Sequence, residues 1–215
     1  MGNETRVWDP LVRIFHWGLV LAFTVAYLSG DEESSLHIYS GYVVLGLIAF
    51  RVVWGLVGPR YARFSNFVYS PGTIIQYLKD MLAKKPKHYL GHNPAGGAMV
   101  IAMLLCLLVV SVSGLEVYAL EEGLGPLADA PSALTIMSPA YASDDDDDGH
   151  GNNENGHGED EAAEEFWEEI HEASSNLMLL LIFLHVAGVI VSGRLHGENL
   201  VKAMFTGKKA GNTDA

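Results

Sequence analysis

Four apolar runs separated by polar connections constrain the fold of this chain more than any other feature. Each run is about 20 residues long, the length that an α-helix needs to cross a bilayer. The runs cover residues 11–29, 38–57, 97–120 and 174–192. They predict an all-α bundle of four transmembrane helices, at about residues 10–29, 36–58, 96–120 and 171–194, within a single domain over residues 1–215.

The thirteen Lys and Arg residues are confined to the N-terminal segment and first helical turn, the end of the second run, the connection 60–95 and the C-terminal segment. Positively charged connections stay in the cytoplasm, so both termini and the 60–95 connection are predicted there. The acidic connection 121–170 is then on the outer side. This pattern predicts a multi-pass membrane protein with the lipid bilayer as its surroundings and no nucleic-acid partner.

The two long connections differ in composition. Within 60–95, apolar residues follow Ser70-Pro71-Gly72 at helical spacing, which predicts a short amphipathic helix on the membrane surface. The 121–170 connection is rich in Asp, Glu and Gly, and we expect disorder over about 143–158. It is interpreted as a solubilising loop, a docking surface for a lysine-rich partner, or a weak divalent-cation site using His150 and His157.

Histidines within the apolar runs fall into two layers. His171 and His185 are fourteen residues apart, so they lie within about 40° on one helical face and about 21 Å apart along the axis. His16 lies equally far below the outer end of its helix, and His37 lies in the first turn of the second helix. We call His37 and His171 the outer layer, and His16 and His185 the inner layer. His196 would lie about 37 Å from His171, too deep to replace His185.

Facing imidazole pairs in a helical bundle are typical ligands of haem iron, and an iron with both axial positions filled passes single electrons. No CxxCH motif occurs, so two non-covalently bound haems b are predicted. Gly41 leaves room for a flat macrocycle on the ligand face. Arg51 could pair with anionic haem propionates or extend to the membrane interface.

Other kinds of site fit these residues less well. A zinc or other transition-metal site needs a third ligand in the membrane layer, and a proton relay needs intramembrane acids; the apolar runs offer neither. Histidines that only pack between helices remain the alternative. His88 and His92 are predicted to have a local capping or interface role, and Cys106 to be an apolar core residue.

Several short motifs resemble one family. They are Trp8-Asp9-Pro10-Leu11-Val12-Arg13-Ile14-Phe15-His16-Trp17, the segment from His37 through Arg51 to Gly55, Gly91-His92-Asn93-Pro94-Ala95-Gly96, and His196-Gly197-Glu198-Asn199-Leu200-Val201. Together they are similar to the bacterial cytochrome b561 family, which includes the b-type cytochrome subunit of nickel-iron hydrogenases. The resemblance implies two b haems, with ligands at the positions of His16, His37, His171 and His185, connecting periplasmic redox partners with the quinone pool.

The first functional hypothesis is electron transfer through two b haems between a periplasmic redox partner, expected to be a c-type cytochrome, and quinone. The second is an enzyme, a superoxide:quinone oxidoreductase acting at the outer haem. The third is a metal-ion reductase acting there, which the acidic loop would favour by attracting cations. The direction of electron flow and a homodimeric assembly are left open.

Overall fold

A computed structural model describes residues 4–30, 34–128 and 155–210. The α-helices are α1 (Pro10–Leu28), α2 (Ser35–Val57), α3 (Pro71–Leu82), α4 (Pro94–Glu122), α5 (Asn155–His196) and α6 (Leu200–Thr206), with a 3-10 turn at Phe64–Asn66. Two short strands, β1 (Glu4–Arg6) and β2 (Lys208–Ala210), pair antiparallel. Helices α1, α2, α4 and α5 are long and apolar enough to cross a membrane. The prediction of a mostly helical chain with four membrane-spanning helices is confirmed.

The predicted helices α1, α2 and α3 each begin directly after a residue whose side chain caps the helix. The Asp9 carboxylate accepts hydrogen bonds from the backbone of Leu11 and Val12, and Pro10 is the first helical residue. Ser34 caps α2, because its hydroxyl oxygen accepts a hydrogen bond from the backbone N–H of His37. Ser70 caps α3, which confirms the short helix after Ser70-Pro71-Gly72.

Helix α5 begins at Asn155, sixteen residues before the predicted start at residue 171. Much of the segment predicted as the end of the acidic loop is therefore helical. Glu and Ala are strong helix formers, and residues 159–173 are rich in both. Helix propensity therefore outweighs the acidic composition that predicts disorder. The predicted disordered residues 143–154 lie outside the described residues.

The chain divides into two compact units, each described by itself. Unit 1 is Met1–Leu108 with Leu177–Ala215, and unit 2 is Val109–Asn176. The core of unit 1 is made of small and branched apolar side chains from all four long helices. Its buried members are Ala22, Val44, Ile48, Cys106, Leu107 and Met178. Cys106 is thus an apolar core residue, as predicted.

Large apolar side chains are exposed along the outside of the long helices. Ile14 and Leu21 on α1 are each 67% exposed, and Phe183 on α5 is 69% exposed. A water-soluble protein rarely exposes apolar side chains on this scale, whereas a bilayer solvates them. These faces are the lipid-contacting surface of the helices.

One end of unit 1 is closed by short elements, and we call it the terminal end. Here α1 and α4 begin, α2 and α5 end, and strands β1 and β2 pair. The backbone N–H groups of Val7 and Trp8 donate to the Gly207 carbonyl at 2.9 and 3.1 Å. The Trp54 indole donates to the Asp9 carboxylate at 3.3 Å. These contacts hold both described chain ends beside the first residues of α1.

Candidate haem sites

His16 on α1 and His185 on α5 face each other within unit 1. Their ring centroids are 6.5 Å apart, and the ring planes are inclined by 48°. A metal–imidazole bond is about 2 Å long and the nitrogen lies about 1.1 Å from the ring centre, so two trans imidazoles place their centroids about 6.3 Å apart. The spacing of the inner-layer histidines therefore suits two axial ligands of one iron.

Aromatic side chains form a wall beside His16. The His16 imidazole meets the Trp17 indole edge to face, with centroids 5.0 Å apart. Trp17 in turn stacks on Phe205 of α6 at 4.4 Å, and the Arg13 guanidinium donates to the Phe205 carbonyl. The position of Phe205 was not anticipated, because its sequence signal is a single aromatic residue in a short C-terminal helix.

Arg51 is buried close to the end of α2. Arg51 is only 3% exposed. Its guanidinium carbon lies 4.8 Å from the centre of the Phe64 ring and 5.8 Å from the centre of the Phe67 ring. Such cation–π contacts stabilise a buried guanidinium without neutralising its charge. The charge of the Arg51 guanidinium is therefore available to an anionic group inside the protein.

Several buried nitrogen atoms at the terminal end lack a hydrogen-bond partner among the described residues. They include Arg13 Nε, His16 Nδ1, Trp17 Nε1, Arg51 Nη1 and His92 Nδ1. A buried polar group left unpaired costs about 1–3 kcal/mol, so a native structure rarely keeps several in one region. The propionate oxygens of a haem are acceptors of the kind that these donors need, so the residues present fit such a group.

His92 is enclosed by aromatic rings. Its ring centroid is 4.6 Å from that of Trp8 and 4.5 Å from that of Phe67. Burial, assisted by the nearby charge of Arg51, lowers the pKa of His92 to about 3. His92 is therefore neutral at physiological pH. The interface role predicted for it agrees with these contacts.

The outer-layer His37 is oriented by the backbone of α1. Its Nδ1 lies 2.9 Å from the Ala26 carbonyl oxygen. A carbonyl only accepts hydrogen bonds, so Nδ1 of His37 carries a proton and donates it to this contact. A Cβ atom added at Gly41, one turn further along α2, meets no atom of the described residues within 4 Å.

The outer-layer His171 is oriented by α4 within unit 2. Its Nδ1 lies 3.0 Å from the Val110 carbonyl oxygen and 3.2 Å from the Ser113 hydroxyl oxygen. A Cβ atom at Gly114 would lie only 2.9 Å from Cε1 of His171, so the ring occupies space that only glycine leaves. These orienting residues of α4 were not anticipated from the sequence. The signal was Ser113-Gly114, two small residues in an apolar span.

The structure brings together some of the predicted site residues and not others. His16 and His185 lie side by side, whereas His196 packs against His88, with ring centroids 5.3 Å apart. His37 belongs to unit 1 and His171 to unit 2, so their pairing stays a prediction. The Nε2–H group of His88 donates to the Glu198 carboxylate at 2.8 Å, an interaction that was not anticipated.

Comparisons with known proteins bear on these sites. Residues 7–207 match the family model described as prokaryotic cytochrome b561. The chain is 28% identical to the probable Ni/Fe-hydrogenase B-type cytochrome subunit of Rhodobacter capsulatus over 60% of each chain. It is also 29% identical to the corresponding subunit of Azotobacter vinelandii over 55% of this chain and 60% of that protein.

A third relative is the probable Ni/Fe-hydrogenase 1 B-type cytochrome subunit of Escherichia coli K12, 28% identical over 53% of this chain and 60% of that protein. The chain thus spans about 60% of the length of these curated relatives. No solved structure matches the chain significantly. The family match covers nearly all of the chain, including every predicted ligand and all four long apolar helices. The chain belongs to the prokaryotic cytochrome b561 family, the multi-pass bacterial membrane proteins that hold haem b for electron transport.

Proposed function

We propose that this protein carries electrons across the bacterial inner membrane through two b haems, between a periplasmic redox partner and the quinone pool. The observation that carries the proposal is the 6.5 Å spacing of the His16 and His185 rings, which suits bis-imidazole ligation. His37 and His171 are proposed as the ligand pair of the outer haem.

Bound haem would supply a one-electron carrier, because an iron ligated by two imidazoles has no open position for a substrate. The residues of the chain hold that carrier and adjust its surroundings. The backbone carbonyls of Ala26 and Val110 fix the tautomers of His37 and His171. Arg51, Arg13 and Trp17 are proposed to donate hydrogen bonds from their unpaired nitrogen atoms to the propionates of the inner haem.

Charge segregation supports the proposed orientation in the membrane. No Lys or Arg occurs between Lys87 and Arg194, whereas the terminal end of unit 1 is rich in both residue types. By the positive-inside rule the terminal end faces the cytoplasm, and the acidic connection between α4 and α5 faces the periplasm. The outer layer is then closest to a periplasmic partner, and the inner layer to the cytoplasmic face.

The acidic surface proposed to face the periplasm favours a redox partner with a basic surface. In unit 2 the carboxylates of Glu121, Glu164 and Glu168 lie within 4.8 Å of one another. Opposite charges steer redox proteins together over long distances and favour fast, transient encounters. A c-type cytochrome with lysines around its haem edge is such a partner. The names of the relatives attach them to Ni/Fe hydrogenase, which is the alternative source of electrons.

The charge pattern disfavours superoxide as the outer substrate. Superoxide is an anion, and the periplasmic segments have no Lys or Arg to attract it. Metal cations would be attracted to the same surface, so reduction of metal ions at the outer layer is the second candidate.

The proposal is tested by stopped-flow spectroscopy on the purified, haem-loaded protein in nanodiscs. A quinol is expected to reduce the b haems, and a basic c-type cytochrome is expected to reoxidise them. Both steps are followed by the b-type absorption bands. The rate of the second step should fall as salt rises from about 0.05 to 0.3 M, because salt screens surface attraction. Absence of reduction by quinol would contradict the quinone assignment. Reoxidation that does not depend on salt would contradict the basic partner.

A further inference from the structure

The terminal end of unit 1 contains a partly buried ionic cluster that the haem sites do not use. Glu198 lies between His88, whose Nε2 is 2.8 Å from Oε1, and Lys209, whose Nζ is 3.3 Å from Oε2. The side chains of His88, Glu198 and Lys209 are 21%, 13% and 6% exposed. Burying charged groups costs more free energy than apolar packing of similar volume, so a cluster of this kind is weak evidence for a stabilising role.

Backbone geometry fixes the position of Glu198. Gly197 adopts the left-handed conformation with φ of 65°, and the Glu198 N–H donates to the Gly193 carbonyl at 2.9 Å. This arrangement is a Schellman-type helix end, which turns the chain sharply back after α5. The carboxylate is thereby held at the point where α5 ends and α6 begins.

Glu198 also lines an open groove of about 350 Å³ between α5 and α6. Val189, Ile190 and Val201 form its apolar part, and Ile190 and Val201 are 46% and 52% exposed on the lipid-contacting side. Its polar part includes Arg194, Glu198 and Asn199. An apolar wall with a few polar groups at one end suits a lipid-soluble molecule with a polar headgroup.

The groove begins close to the proposed inner ligand. Val189 follows His185 by four residues, so it lies one helical turn, about 6 Å, further along α5 on nearly the same face. Along α5 the groove therefore starts one turn after the proposed inner ligand, and it ends at Glu198.

The charged surroundings of Glu198 keep it ionised at neutral pH. Burial raises the pKa of its carboxyl, but the hydrogen bond with His88 and the charge and hydrogen bond of Lys209 outweigh burial, so the net pKa is lowered. His196 stands beside His88 with ring centroids 5.3 Å apart, and Arg194 lines the same groove. His88 is the most exposed member of the cluster, so it is the member that contacts water.

We propose that this groove binds the headgroup of a membrane quinone, and that Glu198 and His88 exchange the protons of its redox reaction with the cytoplasm. The inference rests on the proposed function and assigns that function a substrate site. Reduction of a quinone to a quinol takes two electrons, which arrive singly through the inner layer, and two protons. Each proton passes from His88 to the Glu198 carboxylate and on to a quinone oxygen, and His88 regains a proton from water. Oxidation of a quinol runs the same steps in reverse.

The test compares two oxidants of the reduced, haem-loaded protein in phosphatidylcholine nanodiscs. Decylubiquinone takes electrons and protons, whereas ferricyanide takes electrons alone. Glu198→Gln is expected to slow reoxidation by decylubiquinone about 100-fold, as loss of a general acid does, and to remove its pH dependence. Reoxidation by ferricyanide should keep its wild-type rate. The matched control is Glu4→Gln, which removes the carboxylate of the exposed Glu4–Lys208 pair at the same end of the protein and should leave both rates unchanged.

A second variant addresses the groove without changing a charge. Val201→Trp fills the apolar part, and it should raise the decylubiquinone concentration for half-maximal rate at least about tenfold with little change in the maximal rate. Equal slowing with both oxidants in Glu198→Gln would indicate a structural role and overturn the proposal. Wild-type behaviour of both variants would overturn it as well, and would indicate a groove filled by phospholipid. If decylubiquinone fails to reoxidise the wild-type protein, the proposal that this protein exchanges electrons with quinone is wrong.

Discussion

The inner and outer histidines are held in different ways, although the sequence places them at matching depths. His37 and His171 each direct Nδ1 at a backbone carbonyl, of Ala26 and Val110 respectively. His16 instead has a buried Nδ1 without a partner among the described residues and is positioned by the edge of Trp17. Backbone carbonyls orient the outer imidazoles, and aromatic packing orients the inner one.

This difference has a consequence for redox tuning. A carbonyl that accepts from Nδ1–H makes the imidazole a stronger donor to iron, and it favours the oxidised state. Around the inner layer the nearest fixed charge on α2 is the buried cation Arg51, which favours the reduced state. The two sites are therefore expected to differ in potential, with the inner site higher.

The largest expected effect in this comparison comes from Gly114. In Gly114→Ala the added methyl group would lie 2.9 Å from the His171 ring, so the ring must move away from the Val110 carbonyl. Affinity for the outer haem should fall on the order of tenfold, as it does when an outer-shell partner of a metal ligand is disturbed. A redox titration of the haem absorption bands should show the lower-potential component reduced in amplitude.

The matched control is Gly188→Ala, because a Cβ atom at Gly188 meets no atom of the described residues within 4 Å. This variant should keep both components. Loss of the higher-potential component in Gly114→Ala would reverse the assignment of the two potentials. Loss of neither would show that the Gly114 contact does not position a haem ligand.

A smaller effect is expected at the terminal end, where the inner ligands lie. The pKa of Glu198 is lowered in the folded protein from its ordinary value of 4.5. Its stabilising contribution is therefore fully present above about pH 4.5 and is lost as the pH falls further, through the folded pKa. Between pH 5 and pH 3 the wild-type melting temperature should fall about 2–4 °C more than that of Glu198→Gln. Thermal unfolding followed by circular dichroism measures this, and an identical fall in the two proteins would contradict it.

The transmembrane part of the fold could be predicted from the sequence because bilayer-length apolar runs have few alternatives. The starts of α1 and α3 were predictable from Asp9-Pro10 and Ser70-Pro71, whose caps act within one turn. The start of α5 was not, since its acidic residues are compatible with both a disordered loop and a helix. Helix propensity alone does not distinguish these states.

The candidate ligands were also accessible from the sequence, because a helix of known rise converts residue spacing into depth. Their orienting groups were not. Ala26 and Val110 act through backbone carbonyls, which every residue has, so their side chains give no sign of this role in the sequence. The Glu198 cluster joins residues 88, 198 and 209, and contacts over such separations follow only from the packing of the whole terminal end.

The central claim is that two histidine pairs each hold one haem, and haem stoichiometry tests it most directly. The pyridine haemochrome assay on purified protein should give two b haems per chain for the wild type, and one each for His185→Ala and His171→Ala. His196→Ala, which removes a histidine eleven residues further along α5, should keep two. A wild type with a single haem, or a His185→Ala variant that retains both, would contradict the account.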